Sequence, residues 1–144
     1  GRSMRAIADL SAIGERTIWI DCDVIQADGG TRVASITGAY IALVDAISWL
    51  KKNAEITGEP LIGSVAAVSV GVVDGVPLLD LCYEEDVSAD VDMNIVLTGD
   101  GEYIELQGTA EKQTFSEEEL AQMIGQAKKG IRELTLIQKD ALQS

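Results

Sequence analysis

The sequence predicts an α+β domain, in which a mostly antiparallel sheet packs against helices. Three observations support this class. Several segments between residues 64 and 111 are rich in valine, isoleucine and leucine, as β-strands are. Turn-forming sequences separate some of them, DG at 74–75 and GDGE at 99–102. Longer segments at 32–52 and 115–142 have the length and apolar spacing of helices.

The first third of the chain predicts a helix, a strand and a second helix. Met4, Ile7, Ala8 and Ile13 recur at near-helical spacing in the first fourteen residues. Residues 16–25, RTIWIDCDVI, alternate apolar and polar side chains, which is typical of a half-buried strand. The loop QADGGTR leads into the long helix, and the segment NAEITGEPLIGS follows it as a connector.

The remainder predicts four strands and a C-terminal helix. The strands are expected at residues 64–73, 76–83, 91–99 and 103–111. In the last helix, Ser116 and Glu119 form a capping-box pattern. Its apolar stripe consists of Leu120, Met123, Ile124, Ala127, Ile131 and Leu134. The expected order is αβαββββα, and residues 1–144 are interpreted as a single domain.

Composition excludes several kinds of chemistry. The chain has 144 residues and no histidine, so Ser–His and Cys–His nucleophile pairs and histidine-ligated zinc are excluded. Acid–base catalysis would have to use carboxylates, lysine or tyrosine. The net charge of −13 argues against nucleic-acid binding by this chain alone, because phosphate backbones are bound by lysine and arginine.

Cysteine use and hydropathy predict a cytoplasmic protein without a membrane segment. Cys22 and Cys82 alternate with apolar neighbours and are expected to be reduced thiols in the core. The apolar run 33–50 contains Asp45 and several small polar residues, which favours a buried helix over a membrane span. The N-terminal residues do not resemble a signal peptide.

The segment DGGTR, residues 28–32, is a candidate phosphate site. It immediately precedes a predicted helix, whose first N–H groups and dipole favour an anion. Two glycines allow close approach of the backbone, Thr31 adds a hydroxyl and Arg32 adds a planar cation. The alternative interpretation is an ordinary strand-to-helix turn in which Thr31 is the N-cap.

The second candidate site is acidic. Glu84, Glu85, Asp86, Asp90 and Asp92 place five carboxylates in nine residues between apolar strands. Alternation in the following strand puts Asp92 on the polar face, and Asp86, in the preceding loop, could fold back toward it. Such a pair could bind Mg²⁺ or Mn²⁺, or combine a protonated with an ionised carboxyl group. The alternative is a solvated acidic turn.

These two segments would support metal-assisted phosphoryl transfer only if they meet in space. An ordinary salt bridge between an aspartate and the arginine is the simpler possibility.

The residues resemble a known family. ERTIWIDCDVIQADGGTR, AAVSVGVVDGVPLLDL, YEED followed by DVDMN, and LQGTAE are similar to segments of the ribonuclease PH family, and the resemblance covers essentially the whole chain. It implies a ribosomal protein S5 domain 2-like fold and a homohexameric ring built as a trimer of dimers. It also implies phosphorolytic 3′→5′ exoribonuclease activity that trims tRNA precursors.

The resemblance also implies roles for individual residues. Gly30, Thr31 and Arg32 would bind inorganic phosphate, the co-substrate. Asp86 and Asp92 would be catalytic and hold Mg²⁺ or Mn²⁺, and Asp90 would be a further catalytic carboxylate. Phosphate would attack the 3′-terminal phosphodiester and release a nucleoside diphosphate.

The sequence departs from the family at two places. Val33 stands where a small hydroxyl residue is expected. The family's N-terminal portion, with a further phosphate-binding arginine and basic RNA contacts, is expected to be missing. We therefore expect this chain to be the C-terminal portion and to be inactive alone. The alternatives are a non-catalytic structural subunit of an RNA-degrading ring and a small acidic metal-binding module.

Overall fold

The computed structural model describes residues 1–53 and 56–143, so residues 54 and 55 of the expected connector lie outside the described residues. Five helices and four strands follow one another in these residues. In chain order they are α1 (Arg2–Ala6), α2 (Leu10–Ile13), α3 (Thr31–Lys52), β1 (Val65–Val73), β2 (Val76–Leu79), α4 (Tyr83–Ser88), β3 (Val91–Thr98), β4 (Tyr103–Ala110) and α5 (Glu117–Ala141).

The strands form one antiparallel sheet in the order β2-β1-β3-β4. The expected DG turn joins β1 to β2, and Asp74 and Gly75 have φ angles of 50° and 75°. These left-handed conformations match the twist of a two-residue hairpin. The predicted α+β class with an antiparallel sheet is confirmed.

Each face of the sheet is covered by one long helix. Alternate residues of β1 and β3 pack against α5, whose predicted capping box and apolar stripe are both confirmed. The buried residues of this cluster are Ala66, Val68, Val70, Val72, Val91, Met93, Ile95, Leu97, Met123, Ala127 and Ile131. The opposite face, which includes Val65, Ala67 and Val96, packs against α3 and the N-terminal segment.

Strand β1 is longer than its neighbour β2, and side chains complete its outer edge. Strand β2 pairs only with residues 70–73 of β1. Beyond them, the Thr37 hydroxyl accepts from the N–H of Ala67 at 3.1 Å and donates to the carbonyl of Ala67 at 3.3 Å. The Gln138 amide donates to the carbonyls of Val65 and Thr37 at 3.0 and 2.9 Å. Helices α3 and α5 are thereby fixed to the same strand.

The predicted N-terminal helix and the predicted strand at 16–25 are wrong in detail. The helix is interrupted between Ile7 and Asp9, because Ala8 pairs with Leu61 and Asp9 caps the separate helix α2. Residues 16–25 form no helix and belong to no ladder among the described residues. Ile18 and Ile20 still pack against the apolar cluster between the sheet and α3. The alternating pattern therefore indicates partial burial of these two side chains and not strand pairing.

The segment after β2 also differs from the prediction. The strand expected at 76–83 ends at Leu79, and Asp80 follows with a φ angle of 59°. Asp86 lies on helix α4, whereas the sequence predicts a loop there.

The two cysteines are not core residues, contrary to the prediction. Both thiols are free and exposed. Cys82 precedes α4 as its N-cap, and Cys22 lies in the segment 16–25, which pairs with no strand of the described chain.

Helix α3 is less covered than predicted. Only Val33, Leu43 and Ile47 are fully buried, because the described residues pack against one side of the helix. Its length and apolar composition would also suffice for a membrane span, and 17% of that stretch is buried in the structure.

Replacing Gln138 with leucine should lower the free energy of unfolding by about 2 kcal/mol. Leucine has a similar size but leaves the buried carbonyl of Val65 without a donor, and such a group costs roughly 1–3 kcal/mol. Chemical denaturation would measure the change. Gln122→Leu, on an exposed position of the same helix, is the control and should stay within about 0.5 kcal/mol of the parent. Equal stability of both variants would contradict the role of the Gln138 amide.

Candidate active site

The predicted phosphate segment forms a tight loop at the start of α3. Gly30, and not Thr31, is the N-cap, and its φ angle of 69° lies in the left-handed region that suits glycine. A Cβ atom on Gly29 would lie 2.0 Å from the carbonyl oxygen of Leu81. Both glycines are therefore required by the local geometry. The N-terminus of this 22-residue helix has no side-chain cap.

The Asp28 carboxylate joins this loop to the acidic helix. Its Oδ1 accepts hydrogen bonds from the N–H of Gly29 at 2.8 Å and from the N–H of Tyr83 at 2.6 Å. These two bonds, the one from Tyr83 first, hold the pKa of Asp28 below its ordinary value. The two candidate segments therefore meet in space. Sequence reasoning assigned Asp28 no role, although an aspartate before two glycines is a known turn signal.

Asp86 lies close enough to Asp92 for their charges to interact. Asp92 lies on β3, between Gly71 of β1 and Thr109 of β4 in the register. Burial is the largest cause that raises the pKa of Asp92, followed by the negative charges of Asp86 and Glu111. This polar face of β3 was predicted correctly, whereas the contribution of Glu111 was not foreseen.

The other carboxylates of the acidic segment have different surroundings. Glu85 accepts from the N–H of Cys82 at 2.9 Å and so acts as a helix cap. The Asp90 backbone donates to the carbonyl of Val72 and accepts from Glu111 and Lys112. The structure thus gives the Asp90 main chain a role in joining strand ends, and a catalytic role for its carboxylate stays a prediction.

Arg32 is held by an ion pair that the sequence did not reveal. Its guanidinium contacts the Glu105 carboxylate of β4 at 2.7 and 2.9 Å. Half of the Arg32 side chain remains exposed, whereas Glu105 is largely covered. The ion pair therefore orients the guanidinium for an incoming phosphate, but the phosphate would compete with the Glu105 carboxylate for it.

The acidic pair could hold a hard divalent cation. Among residues 1–53 and 56–143, no three acidic or cysteine side chains converge on one point. Mg²⁺ and Mn²⁺ do not require three, because one or two carboxylates, water and substrate oxygens complete their shell. The mutual repulsion of Asp86 and Asp92 would be relieved by such a cation, so the donor set fits it.

Asp92→Asn should stabilise the fold near neutral pH. The pKa of Asp92 is higher in the folded chain than in the unfolded chain, so the unfolded chain loses the carboxyl proton at a lower pH. The free energy of unfolding therefore falls as pH rises from the unfolded pKa to the folded pKa. The variant should therefore melt higher than the parent at pH 7, and the difference should vanish below roughly pH 3, where both states are protonated. Thermal melts across this range measure it. Asp100→Asn, in an exposed turn, is the control, and a neutral-pH difference no larger than in that control would contradict the assignment.

Comparisons with known proteins agree with this geometry. The chain is 61% identical over 142 residues to the ribonuclease PH of Corynebacterium efficiens, and the match covers 99% of this chain and 58% of the relative. It is 60% identical over the same length to the ribonuclease PH of Corynebacterium glutamicum strain R. The chain thus spans somewhat more than half the length of these curated relatives.

A solved structure shares the fold. The crystal structure of rice Rrp46 superimposes with a TM-score of 0.67 at 20% identity, over 83% of this chain and 51% of that protein. This supports the predicted ribosomal protein S5 domain 2-like architecture.

Two sequence models of one protein family also match this chain. Residues 1–47 match domain 1 of the 3′ exoribonuclease family, and residues 63–130 match domain 2. Together the matches cover both candidate segments, the glycine loop within the first and the acidic residues within the second. The chain belongs to the 3′ exoribonuclease family.

Proposed function

We propose that the protein is a phosphorolytic 3′→5′ exoribonuclease that trims the 3′ ends of tRNA precursors. The observation that carries the proposal is the hydrogen-bonded junction at Asp28, which places an uncapped helix N-terminus beside an acidic pair. The similarity to two proteins named ribonuclease PH supports this interpretation. The activity uses inorganic phosphate as its co-substrate.

The loop would bind and orient the attacking phosphate. Backbone N–H groups at the start of α3, the Thr31 hydroxyl and the Arg32 guanidinium all donate hydrogen bonds suited to an oxyanion. An oxygen of this phosphate forms a bond to the phosphorus of the terminal phosphodiester, while the bond from that phosphorus to the 3′ oxygen breaks. The products are a nucleoside diphosphate and an RNA that is one nucleotide shorter.

The acidic pair would manage the charge on the leaving oxygen. The 3′ oxygen needs one proton, and the attacking hydrogen phosphate loses one. In one arrangement Asp92, whose pKa is raised without a metal, would hold this proton in transit. In the alternative arrangement, the ionised carboxylates of Asp86 and Asp92 would hold a Mg²⁺ or Mn²⁺ ion, which would supply positive charge to the scissile group in place of that proton.

We further propose a homo-oligomeric ring, a hexamer arranged as a trimer of dimers, located in the cytoplasm. Large apolar side chains support the assembly, since Trp19, Ile25 and Trp49 are 85%, 96% and 61% exposed. Surfaces of this kind are usually covered by other protein, which also favours burial of the outer face of α3 in protein over insertion in a membrane. The free exposed thiols of Cys22 and Cys82 support a reducing compartment.

A non-catalytic subunit of a ring assembly is the second candidate. The observation in its favour is the Arg32–Glu105 ion pair, which partly neutralises the cation that phosphate would need. The assays below separate the two possibilities.

The direct test is release of nucleoside diphosphates from a 3′-extended tRNA, with and without phosphate. It is run on the protein at the length of its curated relatives and on the 144-residue chain alone. We expect phosphate-dependent release from the longer protein and none from the chain alone. Asp92→Asn should reduce turnover about a hundredfold or more, as loss of a general acid or base does, whereas Asp100→Asn should not. Absence of any phosphate-dependent product from the longer protein would favour the structural subunit.

Arg32→Ala should weaken the binding of phosphate more than the binding of RNA. Loss of a hydrogen bond to a charged group costs roughly 1.5–3 kcal/mol, or about ten- to a hundredfold in affinity. The apparent KM for phosphate measures this at saturating RNA, and RNA binding is measured separately. Arg132→Ala, at an exposed position of α5, is the matched control. If RNA binding is lost while the phosphate KM stays unchanged, Arg32 belongs to the RNA path.

A further inference from the structure

A buried hydroxyl lies beneath the loop at the start of α3. Ser69, on β1, is 3% exposed, and its Oγ has no hydrogen-bond partner among the described residues. Neighbouring backbone groups of the strand are satisfied, for example the Ser69 carbonyl, which accepts from the N–H of Asp80 at 2.8 Å. Buried hydroxyl groups without a partner are unfavourable and uncommon, so this one requires an explanation.

The position of Ser69 relates it to the anion loop. A Cβ atom on Gly30 would lie 3.3 Å from Ser69 Oγ, so the hydroxyl is in contact range of the N-cap residue of α3. Ser69 shares its face of the sheet with Ala67 and Gly71, the side on which α3 packs. The hydroxyl therefore lies between the sheet and the N-cap residue of α3.

The start of α3, like that of the short helix α1, has no side-chain cap. Side chains cap α2, α4 and α5 through Asp9, Cys82 with Glu85, and Ser116 with Glu119. The N-cap of α3 is a glycine and its first turn contains no acidic residue. Its first N–H groups thus depend on an external acceptor.

We propose that Ser69 is a positioning residue of the phosphate site, whose hydroxyl donates to the carbonyl of Gly29 when an anion is bound. The carbonyl of Gly30 already accepts from the N–H of Ala34 at 3.0 Å, so we assign the preceding carbonyl as the acceptor. In a trans peptide, the carbonyl of Gly29 and the N–H of Gly30 point in opposite directions. A donor beneath the carbonyl therefore turns the N–H outward, toward the anion.

This inference rests on the proposed phosphate site and extends it to a residue outside the glycine loop. It also explains why a serine lies between small apolar residues on a core face. An alanine there would pack equally well but would leave the loop without its inner donor.

The test is phosphate binding to the protein at the length of its curated relatives, without RNA, by calorimetry and thermal shift. Ser69→Ala should weaken the binding of inorganic phosphate about three- to tenfold, the range that corresponds to one neutral hydrogen bond. It should also raise the KM for phosphate with little change in kcat. Without phosphate, its melting temperature should be equal to or above that of the parent, because a buried unpartnered hydroxyl is removed. Ser48→Ala, on an exposed position of α3, is the control.

Each outcome has a defined meaning. Unchanged phosphate affinity in Ser69→Ala, beside clear binding by the parent, would overturn this inference alone. A lower melting temperature of that variant without phosphate would also overturn it, because the hydroxyl would then have a structural partner in the free protein. Ser69→Thr, which keeps the hydroxyl, should recover affinity where its melting temperature matches the parent. If the parent itself does not bind phosphate, the proposed function fails first.

Discussion

The outer edge of β1 is the constraint on which the arrangement of the helices depends. This strand lies in the middle of the sheet and is almost completely buried, but β2 covers only the end near the hairpin. Buried backbone groups must find partners. Thr37 of α3 and Gln138 of α5 supply them from opposite sides. Both helices are thereby fixed relative to β1. The start of α3 is fixed above the end of β1 that leads into the hairpin with β2.

That position of α3 brings two unlike electrostatic environments together. The helix start favours an anion, whereas Asp86, Asp92 and Glu111 concentrate negative charge nearby. Unshielded, this charge would repel phosphate. Asp28 connects the loop to α4 through two backbone N–H groups, but its carboxylate adds a further negative charge beside the loop. A divalent cation between the acidic pair would reduce this repulsion, and this is the physical reason why the proposed chemistry would use one.

The site also shows a tension between stability and function. Asp92 is partly buried beside other carboxylates, an arrangement that disfavours its ionised form. Ser69 is buried, and its hydroxyl has no partner within residues 1–53 and 56–143. Such unfavourable groups are found at binding and catalytic sites, where a ligand restores what the free protein lacks. In the remainder of the described core, apolar side chains pack on both faces of the sheet in the regular alternation that the strands require.

The sequence by itself determined the elements whose signals are local. The apolar stripe and capping box of α5, the DG hairpin and the alternation of Asp92 with Met93 all follow from side-chain spacing within one element, and all were predicted correctly. The resemblance to the ribonuclease PH family was also visible in the residues alone. Local spacing could indicate the glycine loop and the acidic segment, but not their distance.

The tertiary structure decided whatever depends on contacts between distant residues. Residues 16–25 have a strand pattern, but a strand requires a neighbouring backbone, which the described chain does not offer them. The pairing of Arg32 with Glu105, the junction of Asp28 with Tyr83 and the position of Ser69 beneath Gly30 each join residues 39 to 73 positions apart. No periodicity within one segment encodes such pairs, because they arise only when packing of the helices on the sheet brings the segments together.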